Sequence, residues 1–203
     1  MARPKNQTAR REQISAAARR SLVTKGTNGL QLKHIAEEAG MSSGSILYYY
    51  PDLQQLLIEV YEHAVERFSS RRRDAAAQIS DASDRLARTI LSGLATGVDD
   101  EEVYLLHIAV GYFDQYPSVK LIDRMLFDRQ VAMYETILET GAATGDFTLV
   151  HSGGDIARHI VALEDTYNFH IVTGNPALGR AEAARLISGY AELATGRSLP
   201  KLL

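Results

Sequence analysis

The chain has 203 residues, enough for one sizeable domain or a small domain joined to a larger one. Apolar residues at 45% and charged residues at 23% exclude a disordered chain, and the absence of cysteine excludes disulfides, thiolate metal sites and a cysteine nucleophile. The net charge of −3 hides an asymmetry: residues 1–50 carry eight basic groups against three acidic ones, so the remainder is strongly acidic. A basic head on an acidic body suits a polyanionic partner; the alternative is a solvated surface of uneven charge. No apolar stretch has membrane-spanning length, and "MARPKNQTARREQ" lacks the apolar core of a signal peptide. A cytoplasmic protein without membrane association is expected.

Helical periodicity runs nearly throughout. Ile14, Ala17, Ala18 and Leu22 mark the inner face of a first helix, predicted to end at Lys25 and Gly26. "LKHIAEEAG" predicts a short second helix with Leu32, Ile35, Ala36 and Ala39 inside and Gly40 as its left-handed stop. Ser42 can cap a very short third helix, which Pro51 ends. Asp52 to Gln55 has the spacing of a capping box. It opens a long fourth helix striped by Leu53, Leu56, Leu57, Val60, Tyr61, Ala64 and Phe68. Further helices are predicted near 83–96, 102–115, 118–140, 155–173 and 177–195, and no strand alternation or repeat is evident. The fold class is therefore all-α, with about nine helices.

Residues 31–50 have the dimensions of a helix-turn-helix. Ala36 is small where the two helices approach, and Met41 can fill the angle between them. Ser42, Ser43, Gly44 and Ser45 let the third helix come close to DNA, and serine hydroxyls suit phosphates or base edges. Arg3, Lys5, Arg10 and Lys33 are the candidate contacts on the basic surface. The alternative is a helix-turn-helix used only for protein contact.

With these residues in place, the sequence resembles the TetR family of transcriptional regulators. The resemblance rests on "ARREQISAAARRSLVTKG" and "LKHIAEEAGMSSGSILYYYPDLQQLL", roughly the first quarter of the chain. Lys25 and Gly26, Ile35 and Ala36, Ala39 to Ser42, Gly44, Ile46, and Leu56 with Leu57 fit the family pattern. "GAATGDF" and "IVALEDTYNFHIVTGNPAL" resemble a loop and penultimate helix of BetI-type members. The sequence departs from the pattern at Leu30, where a threonine N-cap is usual, and at Leu47, where tyrosine is common. It departs again after Pro51, where Asp52 and Leu53 replace a lysine. Ile46 is expected inside, and Leu47 and Tyr48 are expected to contact bases. The resemblance gives Tyr49 a phosphate contact and Tyr50 an anchoring role.

The resemblance implies a head of residues 1–51 and a ligand-binding, dimerising body of residues 52–203. It also implies a homodimer through the last two helices. Ile156, Ile160, Leu163, Tyr167 and Ile171 form one apolar stripe there, and Leu178, Ala181, Leu186, Tyr190 and Leu193 another. Candidate ligand contacts are Tyr61, Ile90, His107, Tyr112, Met133, Tyr134, Glu164, Asp165 and Asn168. Glu164 and Asp165 interrupt an apolar helix, and adjacent helical positions point about 100° apart, so one of the two is expected to face the pocket. It would pair either with a cationic or hydrogen-bond-donating ligand or internally with Arg124, Arg129 or Arg158. The six histidines form no cluster at metal-ligand spacing, so neither metal nor cofactor is expected.

The function expected is a ligand-responsive, DNA-binding regulator: a homodimeric repressor released from a palindromic operator by a small molecule. A DNA-binding protein without a ligand is one alternative. An enzyme using Glu164 or Asp165 with His107 is another, which would leave the head unexplained.

Overall fold

A computed structural model describes residues 4–109, 111 and 116–203, the side chains of 4–6, 27, 28, 108 and 109 excepted. Among these residues every regular element is helical. The helices are α1 (Pro4–Gly29), α2 (Leu32–Ala39), α3 (Ser43–Tyr49), α4 (Leu53–Ala76), α5 (Ala82–Gly93), α6 (Glu101–Tyr104), α7 (Pro117–Thr144), α8 (Gly153–Val172) and α9 (Arg180–Thr195). α6 widens into a π-turn over Leu105–Ala109. No described helix is long and apolar enough to cross a membrane.

In the head, α1 packs on α2 and α4, and α2 meets α3. Ile14, Ala17, Ala18 and Leu22 are fully buried. α1 breaks where the sequence predicts, at Gly26, whose φ of 67° lies in the left-handed region. Gly40 (φ 63°) makes the helix-turn-helix turn, and Met41 N–H closes it on Ala36 O at 2.9 Å. The N-cap of α2 is Gln31, whose N–H bonds His34 Nδ1 at 3.1 Å. Leu30, expected at that cap, is buried in the core instead. Carboxylates and a hydroxyl cap α4, α5, α6 and α8. Asp52 accepts from Gln55 N–H at 2.8 Å, Asp81 from Asp84 at 2.9 Å, Asp100 from Val103 at 3.1 Å and Ser152 from Asp155 at 3.1 Å.

α4 runs from the head into the body, where it packs on α5 and α7; α7 packs on α8, and α8 on α9. One apolar cluster extends through both parts, so Leu56, Leu57 and Val60, just past the boundary expected after residue 51, share a core with Ile14 and Ile35.

Three predicted segments differ. α5 stops at Gly93 rather than 96. The Asn168 carboxamide bonds Gly93 O at 2.8 Å and Ala95 N–H at 2.7 Å, which fixes the chain after Gly93 in a non-helical path. The segment predicted over 102–115 is α6 and the π-turn, beyond which 110 and 112–115 lie outside the described residues. α9 buries Ala183, Ile187, Ala191 and Ala194, not the predicted stripe. Leu178 precedes that helix in a turn, and Leu193 is 79% exposed.

Candidate functional site

α3 is a seven-residue helix held by one buried apolar side chain, Ile46. Ser42 Oγ accepts the Ser45 N–H at 3.1 Å and lies 2.8 Å from Ser45 Oγ. With Ile46 inside, helical spacing turns Ser45 and Tyr48 outward and leaves Tyr49, three residues on, partly buried beside it. Tyr48 is 76% exposed, and its ring meets Tyr49 edge-on at 5.2 Å. Together with Arg10 and Ser42 these residues line an open hollow of about 600 Å³. A cation, hydroxyls and an exposed phenol in one concavity are the groups that contact phosphates and base edges. Gly44 and Leu47 are exposed at other angles around α3, Ser43 is half-buried, and Lys33 is exposed on α2. Arg3 and the Lys5 side chain lie outside the described residues. The basic surplus of the head is partly committed elsewhere: Arg11 pairs with Glu59, Arg19 with Glu101 and Arg20 with Glu38.

Tyr50 anchors α3, as its place in the sequence implies. It is fully buried, and its hydroxyl donates to Glu59 Oε1 at 2.5 Å. Arg11 donates to Glu59 Oε2 at 2.6 Å and to Tyr49 O at 3.0 Å, with its guanidinium 4.3 Å from the Tyr50 ring centroid. Burial pushes the Glu59 carboxyl up, but the bonds from Tyr50 and Arg11 outweigh it and hold the group below its ordinary value. Burial and then Glu59 push the Tyr50 phenol up.

A second arginine–glutamate–tyrosine group joins α4, α7 and α8 in the body. Arg72 is fully buried and grips Glu164 with two bonds, at 2.9 and 3.0 Å. It also donates to Tyr134 Oη at 2.9 Å and to Gln130, while Tyr134 donates to Glu164. Burial opposes the Arg72 charge, but Glu164 and Tyr134 outweigh it and raise its pKa. Gly93 makes room for the pair: a Cβ there would stand 2.1 Å from Glu164 Oε1. Glu164 is thus bonded internally, and to Arg72 rather than to the partners expected. Arg124 lies near Asp128, Arg129 near Glu66 and Arg158 near Asp155. Tyr134 and Asn168, also candidate ligand contacts, have their polar atoms bonded within the protein.

Asp165, one residue on, lines a cavity of about 220 Å³ between α4, the π-turn, α7 and α8, together with Phe68, His107, Asp123, Phe127 and Gln130. His107 Nδ1 lies 3.0 Å from Val103 O, which can only accept, so this nitrogen carries the proton. His107 Nε2 faces Asp165 at 3.4 Å. Tyr61 is buried below and donates to Asp123 at 3.0 Å; burial first, then Asp123 and Asp165, push its phenol up. A neighbouring hollow of about 330 Å³ shares Phe68 and Gln130 and adds Arg72, Arg73, Arg129 and Met133.

The candidate ligand contacts are therefore not all together. His107 and Asp165 line the cavity, Tyr61 bonds one of its walls, and Met133 lines the adjoining hollow. Ile90 lines a groove of about 500 Å³ between α5, α9 and the C-terminal residues, a different place. Tyr112 lies outside the described residues. The sequence reading missed Asp123, Phe127 and Gln130, although their spacing of four and three residues, continued by Tyr134, puts all four on one side of α7. It also missed Arg72, which extends the α4 stripe Leu57, Tyr61, Phe68 by one further turn.

A helix-turn-helix head with an exposed reading face, joined by one long helix to an all-helical body, defines a helix-turn-helix DNA-binding regulator. Residues 14–60 match the model of a family described as bacterial regulatory proteins, tetR family. The helix-turn-helix head and the start of α4 are thus similar to those of the TetR family of transcriptional regulators. The HTH-type transcriptional regulator PksA of Bacillus subtilis (strain 168) is 28% identical over 87 residues, covering 43% of this chain and 42% of PksA. The match thus spans less than half the length of that relative. Over the whole chain the likeness is one of fold. A structure from Saccharomonospora viridis solved in complex with choline has a TM-score of 0.83 at 21% identity, over 91% of this chain and 96% of that one. The transcriptional regulator FadR from Bacillus subtilis, in complex with stearoyl-CoA, has a TM-score of 0.71 at 17% identity, over 91% and 97%.

Proposed function

We propose that the chain is a ligand-responsive repressor of the cytoplasm that binds a palindromic operator as a homodimer and leaves it when a small molecule enters the body. The observation that carries this reading is the double attachment of α4. Near its start Glu59 holds Tyr50 at the end of α3; further along, Phe68 lines the body cavity and Arg72 is locked to α8. A ligand that moves α4 moves the reading helix with it. Tyr48 and Leu47 are the base contacts in this reading. Tyr49, Arg3, Lys5, Arg10, Lys33 and the run Ser42, Ser43, Gly44 and Ser45 meet the backbone.

Leu163, Tyr167 and Tyr190 are half-buried in the single chain, and Phe169 and Leu193 are exposed. This leaves α8 and α9 a partly apolar outer face, which supports dimerisation there. Structures of the same fold hold choline and stearoyl-CoA, which supports a small-molecule role for the body; His107 and Asp165 are its contacts in this chain.

Ligand acts here by population shift, so it must bind the two states unequally, and its coupling to DNA is reciprocal. The test is a mobility-shift titration of a selected operator with a metabolite panel. An inducer lowers operator affinity, and operator lowers inducer affinity by the same factor. Stabilisation by a metabolite without any change in DNA affinity would contradict the reading.

A further inference from the structure

From Gly40 to Pro51 the chain has no charged and no carboxamide side chain. Bidentate recognition of guanine needs arginine or lysine, that of adenine needs asparagine or glutamine, and cytosine is read by a carboxylate. α3 offers none of these, and its polar side chains are all hydroxyls. A hydroxyl both donates and accepts, so it bonds any base edge and discriminates poorly. Arg10 of α1, the cation that lines the same hollow, donates to Gln13 Oε1 at 2.8 Å and meets the phosphate backbone in the functional reading.

What α3 exposes instead is apolar. Leu47 is 45% exposed and Tyr48 76%, and both point away from Ile46, the side chain that holds the helix. Tyr49, partly buried against the core, meets the Tyr48 ring edge-on and braces it. The apolar group that a base presents in the major groove is the C5-methyl of thymine, and covering it together with Leu47 and the ring removes all three from water.

Gly44 points the same way. It precedes Leu47 by three residues and Tyr48 by four, so the three share the outward side of α3. Glycine weakens a helix relative to alanine. Its φ is not positive, and a Cβ there would meet nothing nearer than Ser42 Oγ at 3.9 Å. The fold itself therefore has room for alanine at this position. The bare backbone serves a body outside the protein, by letting α3 come close to the floor of the groove.

We infer that α3 reads its operator through the C5-methyl groups of thymines, packed against Leu47 and the Tyr48 ring, with Gly44 admitting the helix backbone close enough for that contact. The inference rests on reading the head as a sequence-specific DNA binder and adds the chemistry by which it tells bases apart.

Deoxyuridine tests it, because it lacks only the C5-methyl of thymidine and keeps every hydrogen-bonding group. Duplexes selected by the full chain from a random pool are remade with deoxyuridine at each thymine in turn. At one or more thymines of each half-site, loss of the methyl should weaken binding about fourfold. Replacing those thymines in both half-sites together should weaken it at least about tenfold. Leu47→Ala and Tyr48→Ala draw the side chain back from the methyl, and each should erase the difference at the thymine it contacts. Both positions are exposed, and thermal melts verify that the variants fold. Gly44→Ala should melt no lower than the unmodified chain yet bind the selected duplex about tenfold more weakly. Equal binding of thymine and uracil duplexes at every position, a thymine–uracil difference that survives unchanged in both alanine variants, or undiminished binding by Gly44→Ala would overturn the inference. An enriched palindrome bound equally well with uracil keeps the sequence-specific regulator and removes the methyl readout. A pool that yields no enriched duplex removes the regulator reading on which the inference rests.

Discussion

α4 takes part in the same trio of side-chain types at two places, in opposite surroundings, contributing Glu59 to one and Arg72 to the other. Near its start, Glu59 takes Arg11 and Tyr50; toward its end, Arg72 takes Glu164 and Tyr134. The first group is partly open, with the Arg11 side chain 43% exposed and Glu59 21%. The second is sealed, at 2% and 1%. Solvent can screen the first set of bonds, so each of them contributes less. The second cannot be opened without leaving a charge stranded in the core, so it fixes α4 against α8. The hydrogen bonds that tie α4 to the head are thus the weaker of the two sets, and the buried Leu56, Leu57 and Val60 complete that attachment.

The largest effect should follow from breaking the sealed group on one side only. Arg72→Leu leaves Glu164 buried without its partner and should cost about 3–5 kcal/mol in urea unfolding. Replacing Arg72 and Glu164 together by leucine and methionine should recover most of that loss. A double variant as unstable as the single one would show that the pair is not an isolated unit. A methyl group added at Gly93 presses on the same pair. Gly93→Ala should cost about 1–3 kcal/mol, because Glu164 must shift from its bonds with Arg72 and Tyr134.

The open group should respond more weakly and to pH. Tyr50→Phe removes a hydrogen bond to a carboxylate and should cost about 2 kcal/mol, with DNA binding impaired more than the fold of the body. Because the folded Glu59 pKa is depressed, its contribution is present above the ordinary carboxylate value and lost as pH falls through the folded one. Glu59→Gln should therefore flatten part of the acid limb of the stability profile. An acid limb identical to that of the unmodified chain would contradict the assignment.

Much of the head was legible in the sequence because short-range signals decide it. Gly40 needs positive φ, Ser42 and Asp52 are caps, and Ile46 is the one apolar residue of α3 that the helix-turn-helix spacing points inward. Leu30 was misplaced by one residue: burial of its apolar side chain outweighed a capping position that Gln31 can fill. In the body, the helices were visible but their faces were not. The residues of α9 that could line a core occupy two sides, and small alanines, which carry little hydrophobic signal, won the buried side. Arg72 stands in "SSRRRD", a charge run that composition alone makes a solvated surface. Only the three-dimensional arrival of Glu164 from a residue 92 positions away makes burial of that one arginine tolerable. Asp165 and Glu164 could not be ranked from their order, since that required knowing which of them meets α4.

Selection of bound sequences from a random double-stranded DNA pool, with the full chain and with Tyr48→Ala and Tyr49→Phe, tests the central claim most directly. The account predicts an enriched palindrome with half-sites about one helical turn apart. Tyr48→Ala should alter the preferred bases, and Tyr49→Phe should weaken binding to every sequence without changing the preference. No enriched palindrome, or a preference unchanged by Tyr48→Ala, would contradict it.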